Sequence, residues 1–247
     1  MSLVPPVTAG SPNRVEFLNP YYDLATIAEA VRLGAHRSVI GGLWDEIGTL
    51  QRDFLLGQGL QAHHRLADIG CGSLRSGVCL VPVLNAGNYF GIDLNESLLD
   101  AGWTQEIVPL GLDGKLPRAN LNVSDDFDLA PFGVQFDMGI AQSVFTHLPL
   151  RFLSQCLERT APYFRPAARL YATYFEVSEE GFDGPFHHDP GGVVTFSSHD
   201  PYHYTRDQIF HACGGAEGWD LEFYGDWGHP RSQKMLVFTR RQQTECF

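Results

Sequence analysis

The most informative stretch of this sequence is LADIGCGS, residues 66–73. An apolar run ends there in two glycines, which allow the backbone to turn sharply and to approach a ligand closely. A helical window follows, and the N-terminus of a helix offers free N–H groups. The stretch predicts a strand, a glycine turn and a helix in succession. Asp68 lies at the end of that strand, where a buried carboxylate must be hydrogen-bonded because an unpaired one is costly.

A second acid stands at the end of the next predicted strand. Asp93 follows Asp68 by about 25 residues, a place from which a carboxylate accepts both ribose hydroxyls of a nucleoside. A dinucleotide enzyme prefers G-x-G-x-x-G, whereas Arg75 stands at the third position here. Asp68 would also repel a pyrophosphate, but it suits the ammonium of an amino acid, and Arg75 could face the carboxylate. A nucleoside joined to an amino acid is S-adenosylmethionine.

Strands and helices alternate around this turn. Several strand candidates are apolar throughout, as in strands buried on both faces of a parallel sheet; the candidates are 65–69, 88–93, 119–123, 135–141 and 168–177. Helices are predicted at 21–34, 40–57, 75–85, 96–107, 149–161 and 205–213. The last two strands, 219–226 and 233–239, are predicted to pair antiparallel. This pattern indicates an α/β doubly wound sheet.

Charge and composition narrow the function classes. The chain has 247 residues, with 17 Lys+Arg against 29 Asp+Glu and a net charge of −12, which disfavours nucleic acid and anionic membrane surfaces as partners. Five cysteines without a CxxC pair indicate reduced thiols, and no signal peptide or membrane span is visible, so we expect a cytoplasmic protein. We expect an N-terminal tail and helical cap over 1–60 and a cofactor-binding domain over 61–247.

Three segments together resemble the first, second and fourth motifs of class I S-adenosylmethionine-dependent methyltransferases of the small-molecule type. They are LADIGCGSLRSG (66–77), YFGIDLNESLLDAG (89–102) and FDMGIAQSVFTHLP (136–149). The resemblance covers about 65–177 and implies a seven-stranded, mostly parallel sheet of order 3-2-1-4-5-7-6, with strand 7 antiparallel. It implies S-adenosylmethionine as the cofactor and in-line methyl transfer to a small-molecule acceptor. In the family a third glycine often stands where this sequence has Leu74.

The same resemblance implies a set of cofactor-binding residues. Leu94 matches the apolar residue that packs on the adenine. Ser124, Asp125 and Asp126 compete to contact the adenine amine, and we favour Asp126, with Phe127 stacking on the ring. The predicted set is Asp68, Gly70, Cys71, Gly72, Arg75, Asp93, Leu94, Asp126, Phe127, Ala141 and Gln142.

Three side chains are candidates for proton transfer: His147, Glu176 and His203. An imidazole can act as a base near neutral pH, although His147 could instead hold its loop through backbone contacts. Glu176 is expected at the carboxyl end of the fifth strand, where ligands bind in such sheets. His203 lies in a Gly/His/Asp/Pro-rich stretch, 178–204, without periodicity. We favour a substrate-binding loop there over a metal site, and predict no metal.

Other functions and details stay open at this point. In the helical cap, Trp44 or Gln51 could line the methionine end of the cofactor, or Trp44 could simply pack. A non-catalytic S-adenosylmethionine-binding or interaction protein could retain the fold, since fold alone does not fix function. The glycine spacing disfavours an NAD-dependent oxidoreductase. The sequence fixes neither the acceptor and its reacting atom (O, N or C) nor the oligomeric state, and a dimer is compatible with it.

Overall fold

The computed structural model describes residues 19–181, 183–213, 216 and 218–242. Its strands are β1 (Leu66–Ile69), β2 (Tyr89–Asp93), β3 (Leu121–Val123), β4 (Phe136–Ala141), β5 (Phe164–Glu176), β6 (Phe186–His188), β7 (Val193–Thr195), β8 (His203–Tyr204), β9 (Trp219–Asp226) and β10 (Lys234–Arg240). Its α-helices are α1 (Leu24–Arg32), α2 (His36–Val39), α3 (Trp44–Gly57), α4 (Gly77–Leu80), α5 (Glu96–Ala101), α6 (Arg151–Thr160) and α7 (Arg206–Cys213).

The central sheet has the order β3-β2-β1-β4-β5-β10-β9. Strands β1 to β5 pair parallel, and β10 pairs antiparallel with both β5 and β9. Because β9 and β10 are the predicted sixth and seventh strands, the structure confirms the order 3-2-1-4-5-7-6 and the antiparallel seventh strand. The chain adds β2 and β3 on one side of β1 and then adds β4 and β5 on the other side. The loop after β1 therefore lies at the crevice where ligands bind in such folds.

Both faces of the sheet are covered by apolar side chains, as the continuous apolar strands predicted. All four residues of β1 are buried, and they alternate between the faces. Ala67 and Ile69 belong to one core cluster, while Leu66 belongs to the other together with Tyr89 and Ile140. Asp68 shares the second face, so its carboxylate enters an otherwise apolar layer.

The predicted helix over 205–213 begins with a capping box. The Thr205 N–H donates to Gln208 Oε1 at 3.1 Å, and the Gln208 N–H donates to Thr205 Oγ1 at 3.2 Å.

Two other helices differ in extent from the prediction. Helix α4 covers one turn instead of 75–85, and the helix predicted over 96–107 continues past α5 as a π-helix, Gly102–Ile107. A Cβ on Gly102 would lie 2.6 Å from the backbone of Ser73, so this π-helix packs directly against the loop after β1.

The prediction of an irregular stretch over 178–204 is wrong in part. Strands β6 and β7 form an antiparallel hairpin, and β8 adds to the central sheet by pairing parallel with β5. These strands have two or three residues each, which is too short for a hydrophobic period to be visible in the sequence. The late segment, residues 183–204, is therefore attached to the sheet edge that carries the cleft.

Residues 19–42, which we call the N-terminal cover, contain α1 and α2, and α1 packs on α5. The predicted boundary between cap and domain near residue 60 stays a prediction. Within the described ranges, no helix combines the length and the apolar character needed to cross a bilayer.

Candidate functional site

A cleft opens at the carboxyl ends of β1, β2 and β4, beneath the N-terminal cover. Its empty space, including the mouth that is open to solvent, is about 980 Å³. The sequence-predicted residues that line it are Asp68, Gly70, Cys71, Gly72, Arg75, Asp93, Leu94, Phe127, Gln142 and His147. The structure thus brings together most of the predicted cofactor set and one of the three candidate catalytic residues.

The loop after β1 requires glycine at two positions. Gly70 and Gly72 have φ of +71° and +54°, which is the left-handed region. Added Cβ atoms would lie 2.5 Å from Val144 Cγ2 and 2.9 Å from Ile40 Cγ2, respectively. Leu74 also has a left-handed φ, +68°, with its side chain fully buried. This backbone conformation is what the family's third glycine would favour, and here an L-residue adopts it.

Asp68 is buried at the end of β1 and is held by two hydroxyl groups. Ser76 Oγ donates to Asp68 Oδ2, and Tyr89 Oη donates to the same oxygen at 2.5 Å. These donors satisfy the expected need for partners. Burial nevertheless raises the pKa of Asp68 from its ordinary 3.8 to about 6, against the lowering effect of both hydroxyls. A cation bound beside Asp68 in the cleft would favour the charged form of this carboxyl group and so lower its pKa.

Asp93 is positioned by backbone amides at the end of β2. The Gly72 N–H donates to Asp93 Oδ2 at 2.8 Å, and the Asn95 N–H donates to Oδ1 at 2.9 Å. Burial raises the pKa of Asp93, while these N–H groups oppose the rise. Both carboxylates line the same cleft from adjoining strands, as the sequence predicted for an adenosyl amino acid.

Arg75 connects the loop after β1 to two other segments. Its Nη1 donates to the carbonyl oxygen of Gly42 at 2.8 Å, and its Nη2 donates to Gln142 Oε1 at 2.6 Å. Burial lowers the pKa of Arg75 to about 10, so the guanidinium remains charged at neutral pH. The network continues from Gln142 Nε2, which donates to Ser143 Oγ at 2.6 Å. The cover, the loop and the end of β4 are therefore joined through one buried cation.

Several buried polar atoms around the cleft lack a hydrogen-bond partner among the residues that the structure describes. They are Gln51 Oε1, Arg75 Nε and Asn95 Oδ1. Buried polar atoms are normally paired, so their concentration at one cleft indicates groups that a ligand completes. Gln51 and Asn95 offer acceptors to donors on the ligand, and Arg75 offers a donor to an anionic acceptor.

His147 lines the cleft and contacts the late segment and the N-terminal cover. Its Nδ1 lies 2.6 Å from Asp200 Oδ1, and its ring meets the ring of Tyr21 edge-on, with the centroids 5.2 Å apart. Asn19 Nδ2 donates to the backbone carbonyl of His147 at 2.7 Å. Burial raises the pKa of Tyr21 to about 12, so its phenol stays protonated.

Asp126, the residue that we favoured as the adenine contact, is paired with a distant side chain. Asp126 forms an ion pair with Arg159 and accepts a hydrogen bond from Ser124 Oγ at 3.1 Å, outside the lining of the cleft. Ser124 and Asp125, the competing candidates, line the cleft instead, next to Phe127. Ala141 is fully buried inside the sheet and also lies outside the lining.

Glu176 and His203, two candidates for proton transfer, also lie outside the lining of the cleft. Glu176 accepts hydrogen bonds from Tyr174 Oη and from Arg206 Nε, the latter at 3.1 Å. His203 is fully buried, with Nδ1 2.8 Å from Thr195 Oγ1. Both side chains are occupied in holding the late segment and α7 against β5. Within the described residues, no group of three or more His, Cys, Asp or Glu side chains is arranged to hold a metal ion.

The N-terminal cover supplies lining residues that were not predicted from the sequence. Asn19, Tyr21 and Tyr22 all line the cleft. The signal in the sequence is NPYYD, a polar and aromatic run before α1 that a plain helix prediction does not explain. Of the two alternatives in the cap, Gln51 lines the cleft, whereas Trp44 packs under the guanidinium of Arg37, 4.6 Å away.

No protein-family profile matches the sequence. The fold does match solved structures. Magnesium protoporphyrin IX methyltransferase (ChlM) from Synechocystis PCC 6803, with bound SAM, has a TM-score of 0.59 and 16% identity, over 88% of this chain and 97% of that one. An S-adenosylmethionine-dependent methyltransferase from Clostridium acetobutylicum ATCC 824 has a TM-score of 0.60 and 11% identity, over 91% and 100%. CalS10, a SAM-bound amino pentose methyltransferase from Micromonospora echinaspora, has a TM-score of 0.56 and 18% identity, over 85% and 96%. These similarities confirm the predicted class I methyltransferase fold.

Proposed function

We propose that this chain, which has the class I methyltransferase fold, is an S-adenosylmethionine-dependent methyltransferase that acts on a small molecule. One observation carries the proposal. The cleft at the carboxyl ends of β1, β2 and β4 contains two carboxylates at adjoining strand ends, Asp68 and Asp93. It also contains a guanidinium N–H of Arg75 that has no partner among the described residues. Two anions and one cation in this arrangement complement the hydroxyls, ammonium and carboxylate of an adenosyl amino acid.

The residues present fit this cofactor group by group. Asp93 is the acceptor for the ribose hydroxyls, since its position at the end of β2 is the one that binds ribose in doubly wound folds. Asp68 and the unpartnered Gln51 Oε1 accept from the ammonium. Arg75 Nε donates to the carboxylate, in a buried setting where charge-assisted hydrogen bonds are strong. Phe127 and Leu94 supply the apolar surface for the adenine.

S-adenosylmethionine supplies an activated methyl group whose leaving group is a neutral sulfide. The protein therefore has mainly to align the acceptor and to exclude water, and alignment alone can lower a barrier by about 7–11 kcal/mol. The N-terminal cover encloses one side of the cleft through Tyr21 and Ile40. Of the three predicted proton-transfer residues, all of which the structure describes, His147 lines the cleft, and we assign it as the base.

Three considerations support a small-molecule acceptor. A net charge of −12 with only two lysines disfavours nucleic acid. The solved structures with the same fold include, by their titles, methyltransferases for magnesium protoporphyrin IX and for an amino pentose. The cleft lies under a cover of the same chain, which suits a compact acceptor better than an extended polymer.

Calorimetric titration with S-adenosylhomocysteine tests the cofactor assignment. The wild type should bind it, and Asp93→Asn should weaken binding by roughly 10- to 100-fold, because a hydrogen bond to a charged group contributes about 1.5–3 kcal/mol. Asp126→Asn is the matched control, since Asp126 faces Arg159 and should leave the affinity unchanged. Absence of binding by the wild type, or equal binding by Asp93→Asn, contradicts the proposal.

A further inference from the structure

We infer that Asp200 is a positioning residue for His147, and that His147, held by it, removes a proton from the methyl acceptor. This inference rests on the proposed function, because it concerns the acceptor side of the same cleft. It also assigns a role to the late segment, whose histidines at 188 and 203 the structure places in a buried cluster away from the cleft.

The contact between Asp200 and His147 fixes the tautomer of the ring. A carboxylate accepts hydrogen bonds and donates none, so the 2.6 Å contact requires the proton on Nδ1 of His147. The other ring nitrogen, Nε2, then carries a lone pair. A neutral imidazole with Nδ1–H bonded to a carboxylate and Nε2 free to accept a proton is the arrangement of a general base.

The late segment holds Asp200 firmly against the loop that carries His147. The Tyr202 N–H donates to the carbonyl oxygen of Thr146 at 2.7 Å, and Tyr204 Oη donates to the carbonyl oxygen of Leu148 at 3.0 Å. These two bonds lie immediately before and after His147 along its loop. The distance between Asp200 and the ring is therefore set by the backbone of both segments, not by the two side chains alone.

Partial burial makes this pair more effective than a surface ion pair. The side chain of His147 is 28% exposed and that of Asp200 is 17% exposed, so water screens the interaction only in part. The ring of Tyr21 also packs edge-on against His147, which limits rotation of the imidazole. The ring is thus held by the cover and by the late segment at once.

The proton transfer balances with methyl transfer. A lone pair of the acceptor oxygen forms the bond to the methyl carbon while the carbon–sulfur bond breaks and its electron pair goes to sulfur. The acceptor's proton goes to Nε2 of His147, and the imidazolium that results lies against Asp200. The sulfonium loses its positive charge as the imidazole of His147 gains one. The carboxylate of Asp200 therefore lies next to the positive charge that the reaction forms.

This arrangement selects an acceptor class. An acceptor that is already an anion at neutral pH, such as a carboxylate, needs no base. An acceptor whose oxygen carries a proton gains from one, and a positioned base typically contributes roughly 10²–10⁴-fold in rate. The geometry at His147 therefore points to an acceptor atom that must lose a proton, of which a hydroxyl oxygen is the case tested below.

Nitrogen NMR of histidine-labelled protein in complex with S-adenosylhomocysteine tests the inference without an acceptor. His147 should show a protonated Nδ1 and an unprotonated Nε2 in the wild type, and Asp200→Asn should shift the ring toward the Nε2–H tautomer. His147→Gln assigns the resonance. Asp189→Asn is the matched control, since Asp189 also precedes a proline in the late segment, whereas Asp200 is the residue that pairs with His147. A wild-type His147 with its proton on Nε2, or an unchanged tautomer in Asp200→Asn, overturns the inference.

Calorimetry on the same samples separates this inference from the proposed function. Asp200→Asn should bind S-adenosylhomocysteine as tightly as the wild type, because Asp200 is not among the residues that line the cleft. To test the acceptor class, the rate of methylation by S-adenosylmethionine is measured for phenols and for benzoates of the same carbon skeleton. Methylation of a phenol that falls by roughly 10²-fold in Asp200→Asn supports the inference. Methylation of a benzoate at a rate that Asp200→Asn leaves unchanged contradicts it.

Discussion

Replacing Leu74 by alanine and, separately, by glycine measures the strain in the loop after β1. The residue has φ of +68° and a fully buried side chain. A left-handed conformation costs an L-residue about 1–2 kcal/mol, and alanine retains this cost whereas glycine avoids it. Glycine loses about 0.5–1 kcal/mol more chain entropy on folding than alanine does. The difference between these two costs favours the glycine variant by up to about 1.5 kcal/mol.

Both variants also delete a buried leucine side chain, which costs about 2–5 kcal/mol, so both should be less stable than the wild type. Leu80 is the matched control, because it is equally buried, belongs to the same core cluster and lies in helix α4. There glycine should be less stable than alanine by about 1 kcal/mol. We therefore expect the order of the two variants to reverse between Leu74 and Leu80.

Urea denaturation followed by tryptophan fluorescence gives the four free energies of unfolding. Similar slopes against urea concentration would show that the variants differ in stability and not in the size of the transition. If the glycine variant is the less stable one at both positions, the left-handed conformation of Leu74 is not a source of strain, and our account of this loop is wrong.

Three further outcomes are expected. In the ligand-free protein, burial favours the protonated form of Asp68, so its contribution to the free energy of unfolding is complete below pH 3.8 and is lost as the pH rises through about 6. This loss of stability is on the order of 3 kcal/mol, and the free energy of unfolding of Asp68→Asn in urea should not show it. If Asp68→Asn kept the same pH dependence as the wild type, this prediction would be contradicted. Gln51→Leu should weaken the binding of S-adenosylhomocysteine by roughly tenfold in calorimetry. It should not change the affinity for 5′-methylthioadenosine, which lacks the amino acid. An equal loss of affinity for both ligands would refute the contact. Gly102→Ala should lower both thermal stability and cofactor affinity, because its Cβ would lie 2.6 Å from the backbone of Ser73, and normal values of both would argue against that packing.

The sequence predicted the parts of the site that are local to a strand end. Asp68 and Asp93 each end a parallel strand, and neighbouring parallel strands end at the same edge, so their meeting in one cleft follows from the order of the strands. The strand order itself came from the resemblance of three motifs, and the antiparallel terminal pair from the short connection between the last strands. Each of these motifs, like the connection between the last strands, is a pattern within a short stretch of the chain.

Two of the predicted site residues that lie outside the cleft lining have their direction set by a distant partner. Asp126 turns to Arg159 of α6, and Glu176 turns to Arg206 of α7. Neither partner can be chosen from local sequence, because it depends on how a helix packs over the sheet. The pairing of His147 with Asp200 was missed for the same reason, since the two residues are 53 positions apart and meet through backbone contacts of the late segment.

Arg75 links the cover to the cofactor site, and this has a consequence for closure. In this structure its guanidinium donates to carbonyl oxygens of the cover, while Nε is buried without a partner among the described residues. An unpaired buried donor costs about 1–3 kcal/mol, which a carboxylate on the ligand would recover. Closure of the cover should therefore depend on the amino-acid part of the ligand. In hydrogen exchange, S-adenosylhomocysteine should protect residues 36–42 more than 5′-methylthioadenosine does when both ligands are saturating. Equal protection would mean that the adenosine part alone closes the cover, and that Arg75 does not bind the carboxylate of the ligand.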